Sequence, residues 1–362
     1  MSQLNPESEF WNDRANVIHT IKQQQPMGLL YFAPQKILCD KELMLELIRH
    51  NGEILYFASH VLKSDYEIVL AAVTQKGPAL HYASITLRAN RTIVLTAITE
   101  DGAALEYASE ELRADKSIVL AAVSQYGSAL EFASKKLRAD KSIVLTAVSQ
   151  YGLALEFASK KLRADKLIVL AAVMQDGAAL KYAPEKLRAD KSIVLAAVMQ
   201  DGAALKYASE KLRITKTIVL TALTQNGMAL KYVPEEMCND KALIMTALTQ
   251  TGMALKYVSD ELCSNKSLVM TAVTQDSRAL IYASHELQKN KEIILTILHT
   301  CRMIPSILTS TVLKSPDYIR VAVANPKLVN PNNIEPHICK CRIIIHYLPP
   351  AVFDTVCVMK LM

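Results

Sequence analysis

The residues with the most chemistry to offer stand near the C-terminus, where His337, Cys339 and Cys341 are followed by His346 and Cys357. Imidazole and thiolate are the ligands of a zinc site. Such sites usually show two separated ligand pairs, however, and on a helix residues 339 and 341 point to different sides. The expectation is free thiols and no bound metal. Cys238 and Cys263 lie 25 residues apart and are placed to approach one another across neighbouring repeats, again as reduced thiols. Arg88, Arg113, Arg138, Arg163, Arg188 and Arg213 recur at the same interval and could form a stripe for phosphates. Asp115, Asp140, Asp165 and Asp190 follow the corresponding arginines by two residues and are expected to offset that field. A repeat rise of about 10 Å also mismatches the spacing of single-strand phosphates, roughly 6–7 Å, so nucleic acid is disfavoured. The aromatic series Phe132, Phe157, Tyr182, Tyr207, Tyr232, Tyr257 and Tyr282 reads as core rather than as a base-stacking platform. The glutamines 75, 125, 150, 175, 200, 225, 250 and 275 read as a structural polar ladder near free carbonyls. No Ser-His-Asp, phosphate-loop or His-Glu metalloprotease pattern is present, and no catalytic residue or cofactor is assigned.

These series share one period, which defines the elements that carry them. Nine glycines, from Gly52 to Gly252, are spaced by 25 residues, and Leu occupies a fixed place from Leu30 to Leu280 with Phe or Tyr always two residues on. Asp, Asn or Thr recurs from Asp40 to Asn290, a set suited to capping helix N-termini, so eleven capped helices are expected. In the unit from Asp115 to Ala139, Asp115 caps the start and Gly127 is the expected left-handed terminator. The apolar run Ile118, Val119, Leu120, Ala122 and Val123 implies a helix sandwiched between neighbours. Ala129, Leu130, Ala133 and Leu137 imply a second, shorter helix, broken or kinked where Pro34, Pro184 and Pro234 replace its central Ser. A β/α solenoid is the rival reading. Ala content and the Asp-to-Gly cap spacing favour helix.

The fold class is therefore an all-α solenoid of about ten 25-residue two-helix repeats with divergent terminal caps. Residues 1–39 form an N-terminal segment and degenerate capping repeat, 40–289 the ten repeats, and 290–362 a degenerate repeat with a helical C-terminal cap. Composition agrees: 51% hydrophobic residues exclude wholesale disorder, and only ten glycines disfavour glycine-loop and β-rich folds. The net charge of +6 argues weakly for an anionic partner. Seven unevenly spaced cysteines do not make a disulfide framework, and no apolar run reaches the length of a membrane helix. No membrane insertion is expected.

The units DKSIVLAAVSQYGSALEFASKKLRA and DKLIVLAAVMQDGAALKYAPEKLRA resemble the tandem repeats of domain of unknown function 4116 over roughly residues 40–300. The resemblance implies a helical repeat protein. It also implies a setting among intracellular bacteria of protists and giant viruses, where many members are suspected translocated effectors. It carries over no catalytic residue. A cytoplasmic location, or translocation into a host cell by a non-classical secretion system, follows as an expectation.

Residues 115–139 and 140–164 differ only at Ala121/Thr146 and Ser128/Leu153. A catalytic centre needs unequal groups converging on a point, so such equivalence points to a non-enzymatic scaffold. Recognition must then reside where repeats differ, in the slots flanking the glycine. Tyr126, Tyr151, Leu153, Met228 and Met253 are the candidate partner contacts. At another slot Glu106, Glu131 and Glu156 give way to Lys181, Lys206, Lys231 and Lys256. The expected partner is a protein, with a host protein as one form of it. The alternatives are an enzyme or metal-binding protein active through the C-terminal segment, and a nucleic-acid-binding solenoid that uses the arginines.

Overall fold

Asp115 begins a repeat by doing what its short carboxylate is suited to do. Its Oδ1 accepts from Ser117 N at 2.9 Å and Ile118 N at 3.1 Å, satisfying amides that have no partner inside the helix Lys116–Gln125. The same arrangement recurs at Asp65, Asn90, Asp140, Asp165, Asp190, Asp240, Asn265 and Asn290, and Asp40 caps through Leu43 N alone. Thr215 is the exception: its hydroxyl donates to Lys211 O at 3.2 Å instead of capping. The capping set expected from the sequence is thus present at every position but one.

The computed structural model describes residues 9–24, 27–300 and 306–313, with 315, 318 and 321. Among these residues there is no strand, and the fold is an all-α solenoid of tandem repeats. The chain divides into two compact units, residues 1–187 and 188–362. In the first, the helix Lys116–Gln125 packs between Arg91–Glu100 and Lys141–Gln150, and against 3₁₀ helices of its own and the preceding repeat. It buries Ile118, Val119, Ala122 and Val123, with the larger side chains contributing about 1.5–3 kcal/mol each. In the second unit Lys241–Gln250 sits between Lys216–Gln225 and Lys266–Gln275 in the same way, burying Leu243, Ile244, Ala247 and Leu248. The degenerate first repeat forms the helix Arg14–Gln24, with Asp13 accepting from Asn16 N at 3.1 Å.

The second half of the repeat is broken as expected, but its longer piece is a 3₁₀ helix and not an α-helix. It is a 3₁₀ helix, Gly127–Phe132, followed by extended Ala133 and, after Ser134, one tight turn, Leu137–Ala139. The physical reason is periodicity. Gly127, Leu130 and Ala133 are all buried and three residues apart, which puts them on one side of a helix with three residues per turn. The break lies where the prolines marked it. At that joint the Ser N–H reaches back to the previous repeat: Ser109 N donates to Arg88 O, Ser134 N to Arg113 O and Ser159 N to Arg138 O, each at 2.9 Å. Pro184 and Pro234 cannot make this bond, but the local backbone suits them, since Ser159 has φ −58° and Pro234 −60°.

The glycine has a different job from the one expected. Tyr126 ends its helix in an extended conformation, φ −139° and ψ 98°, and Gly127 does not enter the left-handed region. What Gly127 provides is space. A Cβ on it would stand 2.5 Å from Ala147 O and 2.9 Å from Tyr151 Cβ; on Gly102, 2.7 Å from Ala122 O. The following repeat therefore sits directly on the glycine backbone. The partner is the alanine twenty residues on for Gly52, Gly77, Gly102, Gly127 and Gly152 in the first unit and for Gly202, Gly227 and Gly252 in the second. Where the glycine slot holds Met27 or Ser277, the residue twenty on is Leu47 or Ile297 instead of alanine.

Candidate functional site

The charged groups sort into two rows. The capping aspartates face the lysine or arginine that opens the preceding helix: Lys41 Nζ to Asp65 at 2.8 Å, Arg91 Nη1 to Asp115 at 2.6 Å, Lys116 to Asp140 and Lys141 to Asp165 at 2.7 Å, and Lys216 to Asp240 at 2.6 Å. The Ser117 hydroxyl and the Arg91 guanidinium hold the Asp115 carboxyl well below the usual carboxylate range; for Asp140 the Lys116 ammonium and the Ser142 hydroxyl do the same. Asp115, Asp140 and Asp165 are therefore paired with the preceding repeat and not with the arginine two residues before them, which corrects the pairing expected from the sequence.

The arginines stand apart from that network. Among the described residues, Arg88, Arg113, Arg138 and Arg163 have no ion pair, and the Nε of each is buried without a hydrogen-bond acceptor. Arg188 and Arg213 repeat this in the second unit, with only a distant contact from Arg213 to Glu210, at 3.8 Å. The slot is a partly desolvated one. Lys63, which occupies it one repeat before Arg88, has its ammonium pushed down by burial, whereas a guanidinium keeps its charge. Other occupants turn inward. Gln288 Nε2 donates to Ala283 O at 2.9 Å and Ile281 O at 3.2 Å, Cys238 Sγ lies 3.5 Å from Pro234 O, and Cys263 Sγ lies 3.6 Å from Val258 O. Both cysteines are free thiols directed at their own repeats rather than at each other, and burial raises both.

Between Arg113 and Arg138 runs a groove of about 510 Å³, also lined by Phe132, Lys135, Glu110 and Glu131. In the second unit a groove of about 530 Å³ borders Arg213, Lys231, Tyr232 and Pro234. The sequence led us to expect the aromatic series in the core, and this is corrected: Phe132, Phe157, Tyr182, Tyr207, Tyr232, Tyr257 and Tyr282 are all half-buried. Their neighbours engage them directly. Lys181 Nζ stands 4.4 Å from the Tyr182 ring centroid and Lys206 4.6 Å from that of Tyr207, while the Tyr182 hydroxyl donates to Glu156 at 2.5 Å. Toward the N-terminus this charged slot holds rings instead. Tyr31 and Tyr56 pack edge-to-face with Phe57, both at 4.9 Å between centroids, and Tyr56 with Tyr82 at 5.3 Å. The sequence reading missed this cluster, although aromatic residues at 31, 56 and 81 in a slot later filled by Glu and Lys were its signal.

Of the candidate contacts, Tyr126 and Tyr151 are 48% and 42% exposed despite their size. Each is the extended residue between a long helix and its 3₁₀ helix, and they are neighbours, since the space beside Gly127 is bounded by Tyr151 Cβ. Leu153, Met228 and Met253 are half-buried second residues of their 3₁₀ helices. The glutamines are exposed, and Gln175 Nε2 donates to Gln150 O at 3.4 Å, an inter-repeat bond of the kind expected. His337, Cys339, Cys341, His346 and Cys357 lie outside the described residues. Among the described residues no group of three His, Cys, Asp or Glu is placed to hold a metal ion. No helix among them is long and apolar enough to cross a membrane.

No curated protein and no solved structure matches the chain. One family model does, at residues 40–88, 90–138, 115–163, 165–213, 215–263 and 265–304. Most of these matches take in two consecutive 25-residue periods, each with its long helix, 3₁₀ helix and closing turn. Together they extend over nearly all of the repeats and well over half of the chain. The chain belongs to the family described as Domain of unknown function (DUF4116).

Proposed function

We propose that this protein is a non-enzymatic helical-repeat scaffold that binds another protein along the edge formed by the residues flanking the glycines. The observation that carries the reading is the pairing of constant and varied slots. Side chains that bury the core or cap helices are nearly the same in each repeat, whereas Tyr126 and Tyr151 place large rings in solvent at the slot occupied by Lys76, Asp101 and Asp176 elsewhere. Tyrosine contributes contact area at low entropic cost and is enriched at binding hot spots. The near-identity of neighbouring repeats supports the non-enzymatic part, because catalysis depends on unlike groups converging at one place. The family resemblance extends the proposal to a translocated effector acting on a host protein.

The test is affinity capture with the intact chain beside a variant carrying Tyr126→Ala, Tyr151→Ala, Met228→Ala and Met253→Ala. A partner held by the native chain and released by the folded variant supports the reading. A partner held equally by both removes this edge from the function.

A further inference from the structure

Resting on the scaffold reading, we infer that the arginine series of the first unit is a docking track for an extended acidic peptide segment that carries one carboxylate at every third residue. Three observations converge on it. First, Arg88, Arg113, Arg138 and Arg163 recur once per repeat with buried, acceptor-less Nε atoms and, among the described residues, no ion pair. The capping aspartates nearest in sequence are committed to Lys116, Lys141 and Arg91. With Nε turned into the repeat, the terminal N–H groups of a half-buried guanidinium without a counter-charge are what an incoming carboxylate would meet, and it can take two of them in parallel.

Second, successive arginines line one groove: Arg113 and Arg138 border the same depression, with Phe132 as its apolar wall. The ligand they would share must be long rather than small.

Third, the spacing selects the ligand class. Neighbouring helices pack about 8–10 Å apart, and an extended chain advances about 3.3 Å per residue, so three residues cover one repeat. A single nucleic-acid strand, with roughly 6–7 Å between phosphates, falls out of register after one or two repeats. Charge refines the choice further. Glu110 and Glu131 line the groove beside Arg113 and Arg138 and would repel a continuous acidic run, whereas a carboxylate at every third position meets the arginines and leaves neutral residues beside the glutamates.

The probe is a fluorescent peptide, (Glu-Thr-Pro)₄, whose prolines hold it extended with about 9 Å between carboxylates. Its controls are a peptide of the same composition with the four glutamates consecutive, (Lys-Thr-Pro)₄, and a twelve-residue oligothymidylate. Anisotropy titrations against the full chain should show the periodic peptide binding at least tenfold more tightly than the block peptide, with affinity falling as salt rises. The variant Arg113→Gln/Arg138→Gln/Arg163→Gln should lose at least tenfold. Glutamine is suited to the slot, as Gln288 shows by satisfying its amide within its own repeat, and a thermal melt confirms the fold. If the triple variant fails to fold, the comparison of the two peptides on the native chain decides by itself. Equal binding of periodic and block peptides, unchanged binding by the folded variant, or tighter binding of oligothymidylate overturns the inference. Absence of peptide binding while the tyrosine edge still releases its partner on mutation would overturn this track and leave the scaffold reading standing. Peptide binding with no effect at the tyrosines would remove the tyrosine edge and leave this track standing.

Discussion

Replacing Gly127 with alanine tests what holds neighbouring repeats at their distance. The added Cβ would lie 2.5 Å from Ala147 O, and ordinary contact begins near 3.4 Å, so the next helix must retreat by about 0.9 Å or the 3₁₀ helix must tilt. The atoms it meets are the Ala147 carbonyl oxygen and the Cβ and N of Tyr151, none of them the far end of a flexible side chain that could swing aside. A gap of that size forfeits a quarter to a half of the dispersion energy of the atoms it separates. Overpacking costs about 1–3 kcal/mol, and here the upper end applies; the entropy that alanine removes from the unfolded chain returns about 0.4–1 kcal/mol. The net destabilisation should be about 2 kcal/mol, read from urea unfolding of the full chain. Widening the same interface from the other side, with Ala147→Ile, should give a double variant less destabilised than the sum by at least about 0.5 kcal/mol, as the native Ser277 and Ile297 combination suggests. If Gly127→Ala is neutral or stabilising, the close-approach explanation fails.

Other outcomes follow from the same geometry. Thr215→Asp should stabilise the protein by about 1 kcal/mol, because the native threonine makes no cap bond and an aspartate there would also face Lys191 as Asp240 faces Lys216; urea midpoints measure it. Ser159→Pro should change stability by less than about 1 kcal/mol, since the lost bond to Arg138 O is offset by a φ of −58° already suited to proline, whereas Ala171→Pro, inside the helix Lys166–Gln175, should cost about 3 kcal/mol or more. The capping aspartates have folded-state pKa values below their unfolded value near 3.8, so their contribution is complete above about pH 4 and disappears as pH falls further. Asp115→Asn/Asp140→Asn should therefore flatten the fall of melting temperature below pH 4 by lowering the melting temperature at pH 7 and changing it little at pH 2, with asparagine keeping the cap bond as Asn90 does but losing the ion pairs to Arg91 and Lys116.

The helix starts were legible in the sequence because capping is local: an aspartate's carboxylate reaches amides two and three residues on, and nothing distant alters that. The core face of Lys116–Gln125 was legible for the same reason, from the recurrence of Ile118, Val119, Ala122 and Val123. The glycine was misread because its requirement comes from twenty residues away. Only the link between glycine at 127 and alanine at 147, broken together at Ser277 and Ile297, carried the information. The arginine series was misread for a related reason. Sequence proximity suggested Asp115 as the counter-charge of Arg113, but the cap geometry turns that carboxylate toward Arg91, in the preceding repeat. Proximity along the chain is a poor guide to pairing when each repeat lies against the one before it.

The most direct measurement for the scaffold reading is site-specific photo-crosslinking on the intact chain. A benzoylphenylalanine placed at Tyr126 or Tyr151 is compared with the same group at Ser142, an exposed residue at the opposite end of a long helix. The reading predicts that one protein is captured at both tyrosine positions and not at 142, and that its purified form binds the native chain and loses affinity for Tyr126→Ala/Tyr151→Ala. Capture without positional preference, or a purified protein that binds the native chain and the folded double variant equally, would contradict it.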